Sequence, residues 1–404
     1  QTGFGRTGTV DWNTTPKTAT FTAVSGDGFF ANTSGGAFNM NLPAGSAGAI
    51  VSVADYAETF DSNNLTIVPN GSDKIGSLNE NATLDVKGQS VTFIFVDSTQ
   101  GWINTMDSTS NVRGAPPFIC ASVSGSGNAI TTSGNCKIAT FTGPGTFTVN
   151  SAAGSAANNV VSYVVVAGGA GGGTGSNVGG QIGGGGGGAG GYREAKSPVT
   201  PYTASPLDGY PSAPNRITVS ATGFPITVGG GGAGGAQPGP FSAGFPGVVG
   251  GNSTFSSITS AGGGKGAAGG PGPNGVGGNG GSGGGAGATN AAGGTGNTPP
   301  VSPAQGKNGG CGSNDAGGGG GGATANASSS SPNNGGDGGA GATSSINATP
   351  TARAGGGGGG APTDKGDGGT GGGGAGRESS NGPGSAGTVN TGGGGGGAIS
   401  SSNC

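Results

Sequence analysis

The sequence has no histidine, few charged residues and few aromatic residues. Charged side chains make up 8% of the 404 residues and aromatic side chains 5%, and the formal net charge is −3. Without histidine, neither a Ser-His-Asp triad nor a histidine-containing zinc site can form. This charge balance offers no basic surface for nucleic acid or for an anionic membrane. No enzyme activity, cofactor or metal is therefore predicted.

Long apolar runs and closely spaced cysteines are also missing. No run approaches the roughly 18 apolar residues of a membrane-spanning helix, so no membrane insertion is expected. The four cysteines have no C-x-x-C spacing. Cys120 and Cys136 flank a segment rich in Gly, Ser and Asn, which favours a disulfide across a hairpin loop, and Cys311 with Cys404 is a second candidate pair. Disulfides indicate an extracellular setting, and the alternative is four buried thiols.

Glycine is abundant, but its distribution is uneven. Residues 1–160 contain 20 of the 106 glycines, and the other 86 lie in the last 244 residues. The first part has enough Val, Ile, Phe and Leu for a core, whereas the second has too few large apolar residues for a conventional one. We predict a mainly β chain with essentially no α-helix. Its three regions are a β-rich module at 1–112, a β connecting segment at 113–166 and a glycine-rich region at 167–404.

The first 150 residues read as short strands separated by turns. Strands are predicted at 18–24, 37–42, 49–53, 64–68 and 91–96. Asn70-Gly71 is a hairpin signal. The last strand is apolar on both faces, with Val91, Phe93 and Phe95 on one of them, which predicts burial on two sides. In the connecting segment, residues 138–142 and 146–149 predict a hairpin around Gly143-Pro144-Gly145.

Several runs in the first module resemble a known family. These are AVSGDGFFANT at 23–33, FNMNLP at 38–43 and DSTQGW at 97–102. In this order they resemble a β module of tail-fibre and other virion structural proteins of tailed bacteriophages, over about residues 9–107. The resemblance implies attachment to other virion proteins and a homo-oligomer, with a trimer favoured. The alternative is an unrelated β-sandwich that uses common turns.

The glycine-rich region contains an internal repeat. Four runs of six glycines followed by alanine begin at Gly183, Gly317, Gly355 and Gly392, and the last three starts are 38 and 37 residues apart. Hexaglycine runs break the Gly-X-Y rule of collagen, and a flexible linker is not expected to keep run length and spacing together. We predict a packed bundle of polyglycine helices of the polyproline II type, with three residues per turn and backbone groups that bond to neighbouring helices.

Segments of this region have a resemblance of their own. They are VVVAGG at 164–169, GGYR at 190–193, ITVGGG at 226–231 and GNSTF at 251–255, and they are similar to the glycine-rich domain of phage tail and fibre proteins. In related adhesins, glycine helices form a sandwich whose distal loops contact the host receptor. The resemblance implies a non-enzymatic, extracellular virion protein, a tail fibre or receptor-binding subunit that contacts a host receptor or polysaccharide. Alternatives are a head-decoration or accessory fibre, an ice-binding protein and an extracellular filament protein.

Aromatic side chains on loops are the candidate receptor contacts, because loops on a rigid scaffold often carry binding residues. The candidates are Tyr192, Tyr202, Tyr210, Phe241 and Phe245. The alternative interpretation is that these rings cover the ends of the glycine bundle.

Overall fold

The chain folds as two units, Gln1–Gly114 and Ala115–Cys404, in the computed structural model. The structure describes residues 10–108, 118–176, 181–236, 244–270, 273–379 and 382–400. The strands of the first unit are β1 (Asp11–Lys17), β2 (Phe21–Thr22), β3 (Asp27–Ala31), β4 (Phe38–Asn41), β5 (Ile50–Asp55), β6 (Leu65–Val68), β7 (Ala82–Leu84), β8 (Ser90–Asp97) and β9 (Gly101–Ser108).

These strands form two sheets with a shared core. One sheet has the order β1-β3-β5-β8-β9 and the other the order β2-β4-β6-β7. From β1 to β6 the chain alternates between the sheets, and neighbours within each sheet are parallel. The last strands pair antiparallel. The turns therefore carry the chain from one sheet to the other, and Asn70-Gly71 lies within the long connection between β6 and β7 rather than in a two-residue hairpin.

The core of the first unit consists of apolar side chains that alternate along the strands. Trp102, Met40 and Leu65 are fully buried. On β8, Val91, Phe93 and Phe95 face this core, and Thr92 on the opposite face is buried as well. Val96 is 48% exposed, however. Burial on both faces, predicted for the whole strand, therefore ends before its last residues.

The second unit combines short strands with extended glycine segments. Its strands are β10 (Cys120–Val123), β11 (Ala129–Ser133), β12 (Cys136–Thr140), β13 (Gly145–Ser151), β14 (Val160–Val161), β15 (Tyr163–Val166), β16 (Ile182–Gly183), β17 (Tyr192–Ala195), β18 (Ile217–Thr218), β19 (Gly223–Thr227), β20 (Ser253–Phe255), β21 (Ile258–Ser260), β22 (Ala342–Ser344), β23 (Thr351–Arg353) and β24 (Ile399–Ser400). Helical turns occur at Ala156–Asn159, Ala213–Asn215 and Pro273–Gly275, all of the 3-10 type. The described residues contain no α-helix.

The predicted connecting segment is part of the second unit. A five-stranded sheet of order β10-β13-β19-β20-β21 joins strands from both sides of residue 167. Its apolar side chains, which include Val149 and Phe255, form a core with Tyr163 and Val165 of strand β15. The connecting segment thus supplies an apolar cap against which the glycine-rich segments begin.

Two predictions within this cap are wrong. The predicted hairpin does not form, because β12 pairs with β11 across the turn at Gly134-Asn135, and β13 pairs with β10 and β19. The positive φ of Gly134 (56°) suits this tight turn. The predicted disulfide is absent as well, since Cys120 and Cys136 are free and lie on strands of different sheets. Cys311 is also free, and Cys404 lies outside the described residues.

The glycine-rich segments run as extended helices that bond to each other. We name them PG1 (residues 167–175), PG2 (183–191), PG3 (229–235), PG4 (261–269), PG5 (282–288), PG6 (315–323), PG7 (354–361), PG8 (383–388) and PG9 (392–398). Every backbone N–H from Gly183 to Gly191 donates to a carbonyl of another glycine-rich segment, at N···O distances of 2.7–3.0 Å. The predicted polyglycine bundle is confirmed.

The bonds of PG2 repeat every third residue. Gly183, Gly186 and Ala189 donate to PG6. Every third residue from Gly184 donates to PG9, and every third residue from Gly185 donates to PG4. The carbonyl groups of PG2 accept from PG1, PG5 and PG7 in the same rhythm. In a helix with three residues per turn, residues that are three apart in the sequence lie in one row along the helix, so there are three rows. Each row of PG2 donates its N–H groups to one neighbouring segment and accepts at its carbonyls from another. PG2 therefore has a neighbour on every side.

Three of the hexaglycine runs, those in PG2, PG6 and PG7, are buried inside this lattice, and the fourth, in PG9, is half-buried. PG2, PG6, PG7 and PG9, which contain the runs that begin at Gly183, Gly317, Gly355 and Gly392, bond to one another. Gly392 has a φ of 71° and lies in the turn that opens PG9. A Cβ atom on Gly186 would lie 2.1 Å from the oxygen of Gly357, so no side chain fits there. Segments at the surface carry exposed side chains between their glycines, such as Asp337 and Asp367.

We predict that Gly357→Val destabilises the second unit by more than about 3 kcal/mol, because overpacking of this kind forces the backbone apart. A Cβ atom at this position would lie 2.1 Å from the oxygen of Gly395. Gly230→Val is the matched control, since its Cβ atom would meet nothing within 4 Å. Chemical denaturation measures both variants, and equal stability of the two would contradict the packing described above.

Candidate functional site

The predicted contact residue Tyr192 lies inside the molecule. It starts β17, which pairs with β15 where PG1 begins and PG2 ends, and we call this end of the bundle the capped end. The Tyr192 ring is 1% exposed and packs with Ala189, Ala323 and Ala354, which follow or precede hexaglycine runs. Tyr192 therefore covers the end of the bundle and does not offer its ring at the surface.

A buried carboxylate joins three parts of the capped end. Glu194 is 2% exposed. Its Oε2 accepts from the hydroxyl of Tyr192 (2.9 Å) and from the backbone N–H of Ser205 (3.0 Å). Its Oε1 accepts from the hydroxyl of Ser344 (2.6 Å). Both carboxylate oxygens are hydrogen-bonded and shielded from solvent. The Glu194 side chain therefore holds β17, the loop at Ser205 and β22 together, and it is not accessible as an acid to a molecule in solution.

Tyr202 and Tyr210 lie nearer the surface of the same segment. Both are half-buried. The guanidinium carbon of Arg216 lies 4.7 Å from the centre of the Tyr210 ring, and Arg216 Nε donates to the Tyr210 carbonyl (2.9 Å). The Nζ of Lys196 lies 5.9 Å from the centre of the Tyr202 ring. These two rings thus each carry a cationic neighbour at the edge of the capped end.

Two buried amides that were not predicted from the sequence hold the loop at 297–305, Asn215 to the capped end and Gln305 to the start of PG4. Asn215 donates to the carbonyls of Gly209 (3.0 Å) and Ser302 (2.9 Å) and accepts from Arg193 (2.6 Å). Gln305 accepts from the N–H of Ala261 (2.8 Å). Single polar residues in loops carry no pattern, so no signal in the sequence could have singled them out.

The segment at 245–251, which runs alongside PG1, exposes an apolar patch on the side of the bundle. Phe245, Val248 and Val249 are 48%, 53% and 54% exposed. The Phe245 backbone is held by Thr174 at the end of PG1, with its N–H donating to the hydroxyl (2.7 Å) and its carbonyl accepting from the Thr174 N–H (2.8 Å). We call the side chains of Phe245, Val248 and Val249 the apolar patch. The other phenylalanine candidate, Phe241, lies outside the described residues.

The titratable groups of the described residues do not form a metal site. In the ranges that the structure covers, no group of three or more His, Cys, Asp or Glu side chains is placed to hold a metal ion. Over the same ranges, no helix has the length and apolar character needed to cross a membrane. The features left for function are the two ends of the bundle and its sides.

One family matches most of the chain. A family model described as a glycine-rich domain matches residues 140–404, and the chain belongs to this glycine-rich domain family. The match begins within β12 and therefore includes β13–β15, which agrees with the integration of these strands into the second unit. No curated protein matches the chain.

Buried tyrosines make the capped end sensitive to alkaline pH. Burial raises the pKa of Tyr163 from 10.0 to about 12, and its hydroxyl donates to the carbonyl of Asn215 (2.7 Å). Burial, followed by the charge of Glu194, raises the pKa of Tyr192 and of Tyr202 above the usual range. A raised pKa in the folded state means that stability is complete below pH 10 and is lost as the pH rises towards 12.

We therefore predict that the melting temperature falls between pH 10 and pH 12. Absorbance at 295 nm should show that these tyrosines ionise at a higher pH than free tyrosine. Tyr163→Phe should show a smaller fall over this interval, because one of the shifted groups is removed. A melting temperature that stays constant across the interval in the unsubstituted protein would contradict the prediction.

Proposed function

We propose that this protein is a non-enzymatic virion structural protein of a bacteriophage, a tail fibre whose glycine bundle contacts the host cell surface. In this role it acts outside the cell as part of the virion. Support comes from the phage-like runs along both units and from a bundle held by backbone bonds in three directions. Such a bundle has few ways to bend, because each inner helix bonds to neighbours all round. It is suited to projecting a contact surface away from its attachment point.

The apolar patch is the observation that carries the adhesive part of this proposal. Large exposed apolar side chains that lie together on a monomer often mark a binding surface. Phe245, Val248 and Val249 stand on a segment fixed to PG1, PG3 and PG4 by backbone bonds, so little conformational entropy is lost when a partner binds. Of the tyrosine candidates, Tyr202 and Tyr210 stay in the proposal as secondary contacts at the capped end.

The first unit supplies attachment in this proposal. Its resemblance to phage modules extends over residues 9–107, and such modules join other virion proteins and often form trimers. Its own core is complete, with Trp102, Met40 and Leu65 fully buried, so it folds around side chains that are separate from the glycine lattice. We therefore assign oligomerisation to this unit and host contact to the second.

We predict that the double variant Phe245→Ser/Val248→Ser loses at least about tenfold of its binding to host bacteria, since large exposed side chains carry most contact energy. Flow cytometry of fluorescently labelled protein on a panel of bacteria measures this binding. Val199→Ser is the control, because Val199 is 53% exposed but lies beside the capped end. An equal loss in the control would remove the apolar patch from the proposal, and binding to no bacterium in the panel would contradict the adhesive function.

We also predict that the purified full chain has the mass of three copies of the 36.9 kDa chain. Native mass spectrometry or analytical ultracentrifugation gives this value directly. A monomer at all concentrations would contradict the assignment of oligomerisation to the first unit, whatever the outcome of the cell-binding experiment.

A further inference from the structure

One side of PG1 faces no helix among the residues that the structure describes. The N–H groups of Gly168, Gly171 and Thr174 donate to the segment at 245–251, and those of Ala167, Ala170 and Gly173 donate to PG2. The third row contains Gly169 and Gly172. Within the described part of the chain, the N–H groups of these two buried glycines meet no acceptor. Because the rows of this helix are spaced evenly around its axis, both N–H groups point to the same side.

That side is a groove. It has a volume of about 450 Å³ and is lined by residues 169–174 of PG1, 231–235 of PG3, 383–387 from the start of PG8, and PG9. PG3 and PG9 are already the neighbours of PG1 on either side, through Gly232 and Gly395, which donate to the carbonyls of Gly169 (2.8 Å) and Ala170 (2.9 Å). The groove therefore lies where the lattice calls for one more helix beside PG1.

PG9 offers acceptors to the same groove. The N–H groups of Gly395 and Ala398 donate to PG1, and that of Gly396 donates to Ser385 of PG8. The carbonyls of Gly394 and Gly397 accept from Gly374 and Arg377. Among the described residues, the carbonyls of Gly393 and Gly396 accept no N–H. The groove thus presents two donors from PG1 and two acceptors from PG9, each pair three residues apart.

We propose that this groove binds an extended glycine-rich segment of a partner protein, which enters as a further polyglycine helix. Its carbonyls accept from Gly169 and Gly172, and its N–H groups donate to the carbonyls of Gly393 and Gly396. A three-residue repeat of donors and acceptors fits a helix of the polyproline II type. Proline lacks the N–H that PG9 needs, and inner helices of this lattice leave no room for a Cβ atom, so the partner segment is glycine-rich.

Neighbouring positions on PG3 allow the groove to be blocked without disturbing the fold. A Cβ atom on Gly231 would have its nearest atom, the oxygen of Gly169, at 3.7 Å, and Gly231 lines the groove. A Cβ atom on Gly230 would meet nothing within 4 Å, and Gly230 does not line the groove. Gly231→Phe therefore fills the groove, and Gly230→Phe is its matched control.

The test uses the full chain and a synthetic nonaglycine peptide with lysines at its ends. The peptide concentration is raised to about 10 mM, because the conformational entropy lost when a flexible peptide becomes ordered weakens binding. Amide hydrogen exchange measures protection of Gly169 and Gly172. We expect at least fivefold slower exchange with the peptide in the unsubstituted protein and in Gly230→Phe, and no change in Gly231→Phe.

Three outcomes would overturn the proposal. The first is an absence of protection at the highest peptide concentration. The second is equal protection by a nonaproline peptide with the same lysine ends, which adopts the helix but lacks N–H donors. The third is self-association of the full chain, measured by ultracentrifugation, that Gly231→Phe abolishes and Gly230→Phe retains. That result would assign the groove to a second copy of this chain instead of a partner protein.

Discussion

Lateral hydrogen bonds between extended glycine backbones are the interaction on which the second unit depends. An extended helix with three residues per turn makes no bonds within itself, so every N–H and C=O must find a partner on another segment. In PG2 each row of every third residue meets one neighbour through its donors and another through its acceptors. Ordering a glycine costs more entropy than ordering any other residue. One such helix is therefore unstable alone, and stability arises only when many are packed together.

This constraint explains where side chains occur in the second unit. Interior helices are pure glycine runs because a Cβ atom would meet a neighbouring backbone oxygen, as at Gly186 and Gly357. Alanine is tolerated where a run ends, and Ala189 and Ala323 meet the ring of Tyr192 there. Large side chains are confined to the two ends and to the outer rows. Function that needs side-chain chemistry therefore has few places to reside, and the apolar patch is one of them.

The features predicted well were those with a repeating pattern. The hexaglycine runs at Gly183, Gly317 and Gly355 allowed only one close-packed structure, because no other helix type uses glycine at every position. Connections between strands were predicted poorly, as the pairing of β13 with β19 shows, since partners far apart in the sequence leave no local signal. At the candidate site, Phe245 is exposed and stays a predicted contact residue, whereas the burial of Tyr192 removes it from that set. A tyrosine beside a glycine run looks the same in either position.

The sequence by itself determined the types of backbone structure in this protein and the side chains available to it: a β-rich first part, a lattice of polyglycine helices, and no histidine for catalysis. It did so because period, run length and the missing Cβ atom are local properties. Only the tertiary structure decided which helices are neighbours, that Glu194 is closed off by three donors, and that PG1 and PG9 leave a groove between PG3 and PG8. Those outcomes depend on backbone bonds between distant segments, and one glycine run is chemically the same as another until the lattice places it.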